Sequence, residues 1–293
     1  MIQETKRVKK VVIVAKETAY ARAIREGDVR LRAMFRANHP SVHSLKETHR
    51  SHTSTLAHVL ETVKAYGWRA RVVGVGRKFR TDDVALVMTV GGDGTFLWAS
   101  HLVDEVPMLG VNGAPSTSRG FFCAATSRNF EQIWAHIAEG STSWTRVARM
   151  TASSDGVQVC DRVLNEVLVA AASPAAMTRI AIRKNALASE RRFRSSGVWV
   201  GPAAGSSAAM ASAGGKVLPI SSRALQWVVR EPVGGPELSL ARGLIKPGGS
   251  VSLRIESRNV RLFVDGGRKS LPAQMGETIR FFESAHPLFA LLP

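Results

Sequence analysis

The 293-residue sequence is poor in cysteine and tyrosine, and it lacks any apolar run long enough to span a bilayer. Its two cysteines, Cys123 and Cys160, lie in apolar stretches and lack metal-ligand spacing. They predict two buried thiols in a reducing compartment rather than a disulfide or a zinc site. The first residues include an acid and lead directly into an apolar strand, which predicts neither a signal peptide nor an acid-free amphipathic presequence. We therefore expect a cytoplasmic protein with no membrane partner.

Acidic residues are also scarce, because 23 Asp and Glu stand against 40 Lys and Arg, for a net charge of +17. The excess is concentrated in residues 1–80. A second basic cluster comprises Arg179, Arg183, Lys184, Arg191, Arg192 and Arg194. Positive charge attracts polyanions, including nucleotides, but the sequence has no recognition-helix signature, zinc finger or strand-borne aromatic RNA motif. We expect a solvated or nucleotide-attracting surface without a specific nucleic-acid partner, and nonspecific binding to nucleic acid only at low salt.

A glycine-rich turn follows a predicted strand near residue 90. Residues 84–90 are apolar and β-branched, which predicts a buried strand, and a helical pattern begins at residue 95. Between them lie Gly91, Gly92, Asp93 and Gly94. Glycines here permit positive φ and let backbone N–H groups approach a ligand, and the start of the following helix favours a phosphate. Asp93 either holds a magnesium ion or accepts a proton from an attacking hydroxyl, or it is an ordinary N-cap.

Strands alternate with helices up to residue 111. The predicted strands cover residues 8–15, 68–75, 84–90 and 106–111, and the predicted helices cover 16–34, 45–66 and 96–102, with a further helix over 126–139. This alternation predicts a doubly wound α/β domain with a parallel sheet, whose ligands collect at the carboxyl ends of the strands. His49, His52 and His58 lie on the second helix, without metal-site spacing or nearby acids. We expect them to be solvated or to cap the helix.

From residue 144 onward the pattern changes to short strands separated by Gly, Pro and Ser turns. The predicted strands cover residues 145–151, 157–160, 162–170, 177–183, 197–200, 227–230, 250–256, 260–264 and 278–283. They predict a β-rich second domain. The predicted organisation is therefore an α/β domain over residues 1–125, a β-rich domain over 126–270 and a tail over 271–293. The sequence contains no internal repeat, coiled-coil heptads or long low-complexity segment.

Two segments of the second domain carry candidate ligand groups. Asn165 and Glu166 place an amide beside a carboxylate, which suits adjacent sugar hydroxyls, but taken in isolation the pair favours a solvated strand face. Residues 195–215 combine a strand, a turn of small residues and a helix that ends in two glycines. Small residues allow a flat nucleobase to approach the backbone, and Ser206, Ser207 and Ser212 offer hydroxyl groups. The alternative is a tightly packed Ala-rich helix.

The string Gly91-Gly92-Asp93-Gly94-Thr95 resembles the phosphate-handling motif shared by NAD kinases, diacylglycerol kinases and sphingosine kinases. The Asn165-Glu166 pair and the small-residue segment before Gly214-Gly215 are similar to NAD kinases. Further strings resemble the divergent branch typified by the mitochondrial-type NAD kinases of animals, over residues 12–16, 110–112, 194–197, 230–232 and 264–267. The resemblance implies an NAD kinase/diacylglycerol kinase-like fold, in which the tail packs back on the first domain.

The resemblance also implies a reaction, in which the 2′-hydroxyl of the adenosine ribose of NAD receives a phosphoryl group from ATP, or from another donor such as polyphosphate, to give NADP. It implies that Asp93 is the catalytic base, with a link to Mg²⁺, and that phosphates contact Gly91, Gly92, Gly94 and Thr95. The implied NAD-binding residues are Asn112, Phe121, Asn165, Glu166, Arg194, Ser196, Ser207, Ala208 and Ser212. A homodimer or homotetramer is implied as well.

Two residues depart from the NAD kinase pattern. Ser196 replaces an Asp that faces the nicotinamide side in most members, and Ala209 replaces a Tyr that many members place near adenine. The divergent branch also has Ser-Ser-Gly at the first position, so Ser196 is interpreted as a branch trait. Two alternatives remain at this stage. One is a lipid kinase of the diacylglycerol or sphingosine type, and the other is a non-catalytic nucleotide-binding regulator, which would leave Asp93 without a task.

Overall fold

The structure, a computed structural model, describes residues 8–185, 190–234 and 241–293. The chain divides into two compact units. The first runs up to Thr145 and also contains Phe289–Pro293, and the second comprises Arg146–Leu288. The strand β6 (Thr145–Val147) contains the boundary. Among the described helices, none is both long enough and apolar enough to cross a membrane.

The first unit is built on a parallel sheet. Its strands are β1 (Lys10–Ala15), β2 (Arg69–Gly74), β3 (Leu86–Gly91), β4 (Met108–Asn112), β5 (Ala125–Thr126) and β19 (Leu288–Leu291). The strand order is β2-β1-β3-β4-β19-β6, and β5 also pairs with β4. Ala290 and Leu291 pair in parallel with Met108 and Leu109, so a strand near the end of the chain lies inside this sheet, between β4 and β6. The carboxyl ends of β3 and β4 are neighbours, since Gly91 pairs with Asn112.

Helices cover both faces of this sheet. They are α1 (Ala19–Glu26), α2 (Val29–Arg36), α3 (His43–Ala65), α4 (Asp93–Ser100) and α5 (Phe130–Glu139). Strand residues that point to one face pack with α3 and α5, while Val12 and Val14, which point to the other face, are equally buried. Burial on both faces is the reason that the strands read as continuous apolar runs. The predicted doubly wound α/β domain is confirmed, but the single helix predicted over residues 16–34 divides at Gly27, whose φ of 70° ends α1.

The second unit is a β-sandwich of two antiparallel sheets. Its strands are β7 (Met150–Ser154), β8 (Val157–Val163), β9 (Val167–Ala171), β10 (Thr178–Lys184), β11 (Arg191–Ser195), β12 (Val198–Pro202), β13 (Leu225–Val229), β14 (Arg242–Ile245), β15 (Ser250–Ile255), β16 (Val260–Val264), β17 (Lys269–Ala273) and β18 (Thr278–Glu283). The sheet orders are β11-β10-β15-β18-β7-β8 and β14-β13-β12-β9-β16-β17. Apolar residues from both sheets form one core, and a single-turn helix α6 (Ala209–Ser212) follows β12. The β-rich second domain is therefore confirmed.

The boundaries of the units differ from those predicted at residues 125 and 270. Helix α5 follows residue 126, but its Phe130, Trp134 and Ile137 are buried in the core of the first unit. Residues 271–288 complete β17 and β18 of the sandwich, so only residues 289–293 belong with the first unit. The strand predicted over residues 162–170 is interrupted at 164–166, which places Asn165 and Glu166 in a turn between β8 and β9.

Candidate active site

The glycine-rich turn joins β3 to α4, as the sequence predicts. Gly91 ends β3, Gly92 is the N-cap, and Asp93 is the first helical residue, so the interpretation of Asp93 as an N-cap is wrong. The first backbone N–H groups of a helix have no partner within it, and they carry the positive end of its dipole. The strand-turn-helix unit therefore presents donors for an anion at the carboxyl end of β3.

Close packing, rather than positive φ, explains Gly91 and Gly92 of this turn. None of the three glycines has a positive φ, contrary to the prediction. A Cβ on Gly91 would lie 2.4 Å from Thr95 Oγ1, and a Cβ on Gly92 would lie 2.5 Å from Ser118 Oγ. At Gly94 no described atom lies within 4 Å of an added Cβ, and the residue is exposed. Gly94 thus keeps the mouth of the turn open, whereas buried Thr95 supports it from inside.

Asp93 is held by the backbone of a neighbouring loop. The backbone N–H of Phe122 donates a hydrogen bond of 2.8 Å to Asp93 Oδ1. The bond orients the half-buried carboxylate and leaves Oδ2 for another partner. Phe122 is itself fixed, because its ring stacks on Phe96 of α4 at a centroid distance of 5.2 Å. The carboxylate therefore has a defined direction before any substrate binds.

Phe121 is the exposed aromatic residue beside this carboxylate. Its ring contacts Phe122 edge to face at 5.2 Å, yet 41 % of the residue remains exposed. An exposed ring supported in this way can stack on a flat nucleobase. The structure thus places the ring of Phe121 against Phe122, the residue whose N–H group orients Asp93.

Asn112 has a bracing position at the end of β4. Its Nδ2 donates to Ser118 O at 2.8 Å, and its Oδ1 accepts from Ala114 N at 3.1 Å. Asn112 is 3 % exposed, and Gly120 packs against the same amide, where a Cβ would lie 2.5 Å from Nδ2. The side chain therefore shapes the loop over residues 113–120, which leads to Phe121.

Two side chains next to this turn have pKa values that burial displaces. Burial, followed by the positive charge of Lys16 and then that of His49, lowers the pKa of His52 to about 4. Burial, followed by the charge of Asp93, raises the pKa of Cys123 to about 12, so this thiol is a weak nucleophile. Cys160 is also buried and free, which confirms the prediction of two buried thiols.

The sequence analysis predicted the wrong environment for His52. The expectation of a solvated or capping histidine is wrong here, because His52 is 5 % exposed, and its Nδ1 has no hydrogen-bond partner among the described residues. It packs on the loop after β4, where a Cβ on Gly113 would lie 2.6 Å from Nδ1. Its spacing from the buried Thr55 and Val59 on α3 follows one helix face, and this periodicity was the available signal.

The second unit brings the Asn165-Glu166 pair into contact with the small-residue segment. Gly205 packs directly on the turn, where a Cβ would lie 1.9 Å from Asn165 O, and Gly201 makes a similar approach at 2.3 Å. Ser207 and Ala208 follow immediately and are exposed. The close backbone approach that the small residues predicted is therefore present, and here it occurs between two segments of the protein itself.

Polar atoms of the Asn165-Glu166 turn are buried without partners. Among the described residues, Asn165 Oδ1 and Glu166 Oε2 lack any hydrogen bond. Burial raises the pKa of Glu166 to about 7, and the charge of Asp265 acts in the same direction. Unpaired buried polar atoms are costly, and they are typical of sites that are completed by a ligand.

The serines of this segment divide into internal and exposed groups. Ser206 is fully buried, and its Oγ donates to Ala203 O at 2.6 Å and accepts from Leu218 N at 2.9 Å, so this hydroxyl is used within the fold. Ser207, which precedes α6, and Ser212, which is its last residue, are both exposed. The hydroxyl contact expected from Ser206 is therefore replaced by a structural role.

Ser196 and Arg194 lie away from this turn. Ser196 precedes β12, whereas Gly201 lies near its other end, and five residues of strand span roughly 16 Å. Ser196 lines a cavity of about 260 Å³ together with Arg230, Leu168 and Phe263. Arg194 is exposed on β11, opposite Arg179, where the structure groups it with the second basic cluster.

Comparisons with known proteins find relatives in both sequence and fold. Residues 5–142 match the family model of the ATP-NAD kinase N-terminal domain. A probable NADH kinase of Oryza sativa is 36 % identical over 233 residues, which cover 72 % of each chain. NAD kinase 2, mitochondrial, of Mus musculus is 28 % identical over 151 residues, which cover 47 % of this chain and 33 % of the mouse protein. A crystal structure of an NAD kinase from Archaeoglobus fulgidus in complex with ATP has a TM-score of 0.66 at 20 % identity, and the match covers 96 % of this chain and 92 % of that one.

Proposed function

The chain belongs to the NAD kinase family, and from this premise we propose how its residues divide the reaction. Its activity is that of an NAD kinase, a phosphotransferase that acts on an alcohol group: a phosphoryl group passes from ATP to NAD, and the product is NADP. The observation that carries the residue-level proposal is the hydrogen bond from Phe122 N to Asp93 Oδ1, which aims one carboxylate at the mouth of the glycine-rich turn.

Asp93 is the general base in this proposal. Its Oδ2 accepts the proton of the ribose 2′-hydroxyl as that oxygen forms a bond to the terminal phosphorus of ATP. The bond between this phosphorus and the bridging oxygen breaks, and ADP leaves with the electron pair. A base that is fixed before the reaction lowers the cost of orientation, which matters because phosphoryl transfer depends mainly on alignment and charge neutralisation.

The start of α4 is the proposed phosphate site. Backbone N–H groups at Gly92, Asp93 and Gly94 donate to phosphate oxygens, while Gly91 and Thr95 pack against each other beneath them. A Mg²⁺ ion fits this donor set, because Mg²⁺ commonly binds one carboxylate and several phosphate oxygens. Asp93 would hold it, and when bound it would neutralise phosphate charge. The described residues contain no cluster of three or more His, Cys, Asp or Glu side chains that would form a separate metal cage.

The second unit is the proposed site of dinucleotide binding. The buried, unpartnered oxygens of Asn165 and Glu166 receive ribose hydroxyls. Ser207 and Ala208 present exposed backbone and a hydroxyl to the same ligand, and Ser212 does so from the end of α6. Ser196 and Arg194 lie away from the Asn165-Glu166 turn, and they have secondary roles in this proposal.

Two residues of the first unit, Phe121 and Asn112, contribute to dinucleotide binding in this proposal. Phe121 stacks on a nucleobase with its exposed ring. Asn112 acts indirectly, through the loop that it braces. The two residues thus contribute a contact surface and the support for it.

Three features of the function extend beyond the family assignment. NADH is a second acceptor in our proposal, because the relative from rice is named a probable NADH kinase. Polyphosphate is a second donor, since the phosphate site uses backbone groups that do not read the nucleoside. Cytoplasmic location and a homodimer or homotetramer stay predictions, which fractionation and light scattering would test.

Replacement of Asp93 by Asn tests the assignment of the base. The amide keeps the hydrogen bond from Phe122 N but cannot accept the hydroxyl proton, so kcat should fall by about 10²- to 10⁴-fold while NAD still binds. The assay follows NADP formation with ATP, NAD and Mg²⁺. Asp82→Asn is the matched control, because Asp82 is an exposed acid of the same unit that pairs with Arg80. An Asp93→Asn enzyme that is folded and remains within a few-fold of wild type would exclude this role.

A further inference from the structure

We propose that Asp265 is a positioning residue for dinucleotide binding, and that it acts by holding the backbone of the turn that carries Asn165 and Glu166. The inference rests on the proposed role of this turn in NAD binding. Asp265 directly follows β16, and Glu166 directly precedes β9. The two strands are antiparallel neighbours, in which Val264 pairs with Val167. The sheet thus brings together two residues that are 99 positions apart in sequence.

The carboxylate of Asp265 accepts hydrogen bonds from three consecutive backbone N–H groups. Leu164 N donates to Oδ2 at 3.2 Å, while Asn165 N and Glu166 N donate to Oδ1 at 2.8 and 3.2 Å. In return, Asp265 N donates to Glu166 O at 2.9 Å. Hydrogen bonds to a charged acceptor are stronger than neutral ones, and Asp265 is only 5 % exposed. The carboxylate therefore holds the whole turn rather than a single residue.

The backbone at Asp265 is suited to this task. Its φ of 45° lies in the left-handed region, which Asp and Asn tolerate better than other residues with a side chain. Gly266 and Gly267 continue with φ values of 67° and 83°, so the chain reverses immediately after β16. Only Asp combines this backbone preference with two oxygens that both accept hydrogen bonds. The left-handed backbone alone would also accept Asn, so the hydrogen bonds to both carboxylate oxygens are what favour Asp at this position.

The turn that Asp265 holds presents the unpartnered ligand groups. Asn165 Oδ1 and Glu166 Oε2 are buried and have no hydrogen-bond partner among the described residues. Gly205 packs on the other side of the turn, against Asn165 O. Fixed backbone on both sides leaves the two side chains little freedom to move away from a ribose. Such preorganisation raises affinity because less order has to be imposed on binding.

The charge of Asp265 also acts on Glu166. Burial raises the pKa of Glu166 to about 7, and the negative charge of Asp265 adds to the increase, whereas a hydrogen bond from the backbone of Gly266 opposes it. Other titratable groups near Asp265 include Arg268, which interacts with its charge, and the buried thiol of Cys160. An ionised Glu166 can accept two ribose hydroxyls, so NAD affinity should decrease as the pH falls through about 7.

Asp265→Asn is the variant that tests this inference. Asn has the same size and the same backbone preference, but its amide nitrogen cannot accept a hydrogen bond. We expect the KM for NAD at pH 8 to rise about tenfold, with the KM for ATP unchanged, because a buried N–H group loses its acceptor. We also expect the pH midpoint of NAD binding, measured by calorimetry without ATP, to move about one pH unit lower, since the neighbouring charge is gone.

Two further variants separate positioning from a general loss of structure. Asp161→Asn removes another carboxylate of the sandwich, one that accepts from Thr151 and Ser284, and should leave NAD affinity unchanged. Glu166→Gln removes the titrating group, so the midpoint near pH 7 should vanish and Asp265→Asn should no longer shift it. If Asp265→Asn does not fold, hydrogen exchange in the wild type decides: the amides of residues 164–166 should be protected in the free enzyme.

The outcomes distinguish this inference from the proposed function. A wild-type protein that forms no NADP contradicts the proposed function, whatever the variants do. If the wild type is active and a folded Asp265→Asn variant keeps its NAD affinity and pH midpoint, the inference about Asp265 is wrong and the proposed function still stands. Rapid exchange of the three amides in the wild type would overturn it as well.

Discussion

His52 occupies the buried face of α3 and packs against Gly113, next to the glycine-rich turn. Burial keeps its imidazole neutral, and Lys16 reinforces this effect because a second positive charge nearby is unfavourable. Residue 113 must be a glycine for a steric reason, because a Cβ there would collide with the imidazole ring of His52. The pair shows how one buried polar side chain sets the shape of the loop that leads to Phe121.

The stability of the protein should depend on the protonation of His52. Its pKa of about 4 in the folded state lies below the ordinary value of 6.5, so the unfolded state binds the proton more tightly. The contribution is complete above pH 6.5 and is lost as the pH falls to 4, for a total of about 3 kcal/mol in the free energy of unfolding. Urea denaturation across this pH range measures it. His52→Gln should flatten the pH dependence and His58→Gln should not; equal slopes in wild type and His52→Gln would contradict the assignment.

At the scale of elements, the segment that joins the sandwich to the last strand depends on one buried cation. Arg149 is fully buried, and it donates to His286 O at 2.6 Å and to Pro287 O at 3.1 Å. Ser284 N in turn donates to Arg149 O. These bonds satisfy two carbonyl groups immediately before β19, and they fix the point at which the chain leaves the sandwich. A charged side chain is stable here because carbonyl oxygens surround its donors.

Replacement of Arg149 by Met should destabilise the protein strongly. The substitution leaves two carbonyl groups without donors in a buried place, and we expect a loss of about 3 kcal/mol in the free energy of unfolding. Arg146→Met is the control, because Arg146 is exposed and lies 3.9 Å from Glu283, a distance at which an ion pair contributes little. Chemical denaturation compares the two variants. A loss that is no larger for Arg149→Met than for Arg146→Met would show that the buried guanidinium does not anchor this segment.

At the scale of the whole molecule, the net charge of +17 comes mainly from residues 1–80, and a second basic cluster lies in the second unit. In the second unit, Arg179, Arg192 and Arg194 are exposed on β10 and β11, and part of their charge is balanced, since Arg192 pairs with Glu256. A surface of this kind attracts polyanions over long distances without reading a sequence. It also favours the approach of substrates that carry several phosphates.

Binding to duplex DNA should be weak, independent of sequence and strongly dependent on salt. We expect measurable association at 50 mM salt and a loss of at least about tenfold in affinity by 200 mM, because binding of this type is driven by counterion release. Fluorescence anisotropy with two labelled duplexes of unrelated sequence measures both properties. Affinity that differed between the duplexes, or that persisted at high salt, would contradict the expectation of a nonspecific interaction.

The sequence by itself determined the local units of this protein. The apolar run before Gly91, the glycines around Asp93 and the helical pattern after them predict a strand, a turn and a helix, because each depends on neighbouring residues. The same reasoning predicted the parallel sheet and the β-rich second part, whereas the candidate residues Asn165 and Glu166 were implied by the resemblance to NAD kinases. It erred where a local pattern is ambiguous, as in the strand predicted over residues 162–170, which is interrupted at the turn that carries these two residues.

Only the tertiary structure decided which distant residues serve these local units. Asp265 reaches the turn at Leu164 across 101 positions, and Arg149 reaches His286 across 137. It also decided that His52 is buried and that α5 belongs to the first unit. The hydrogen bonds of Asp265 and Arg149 leave no periodic signal in the sequence, because they depend on how distant segments pack after each has formed. The burial of His52 differs, since its spacing on α3 carries a periodic signal. A single carboxylate such as Asp265 therefore acquires its role only when two strands meet.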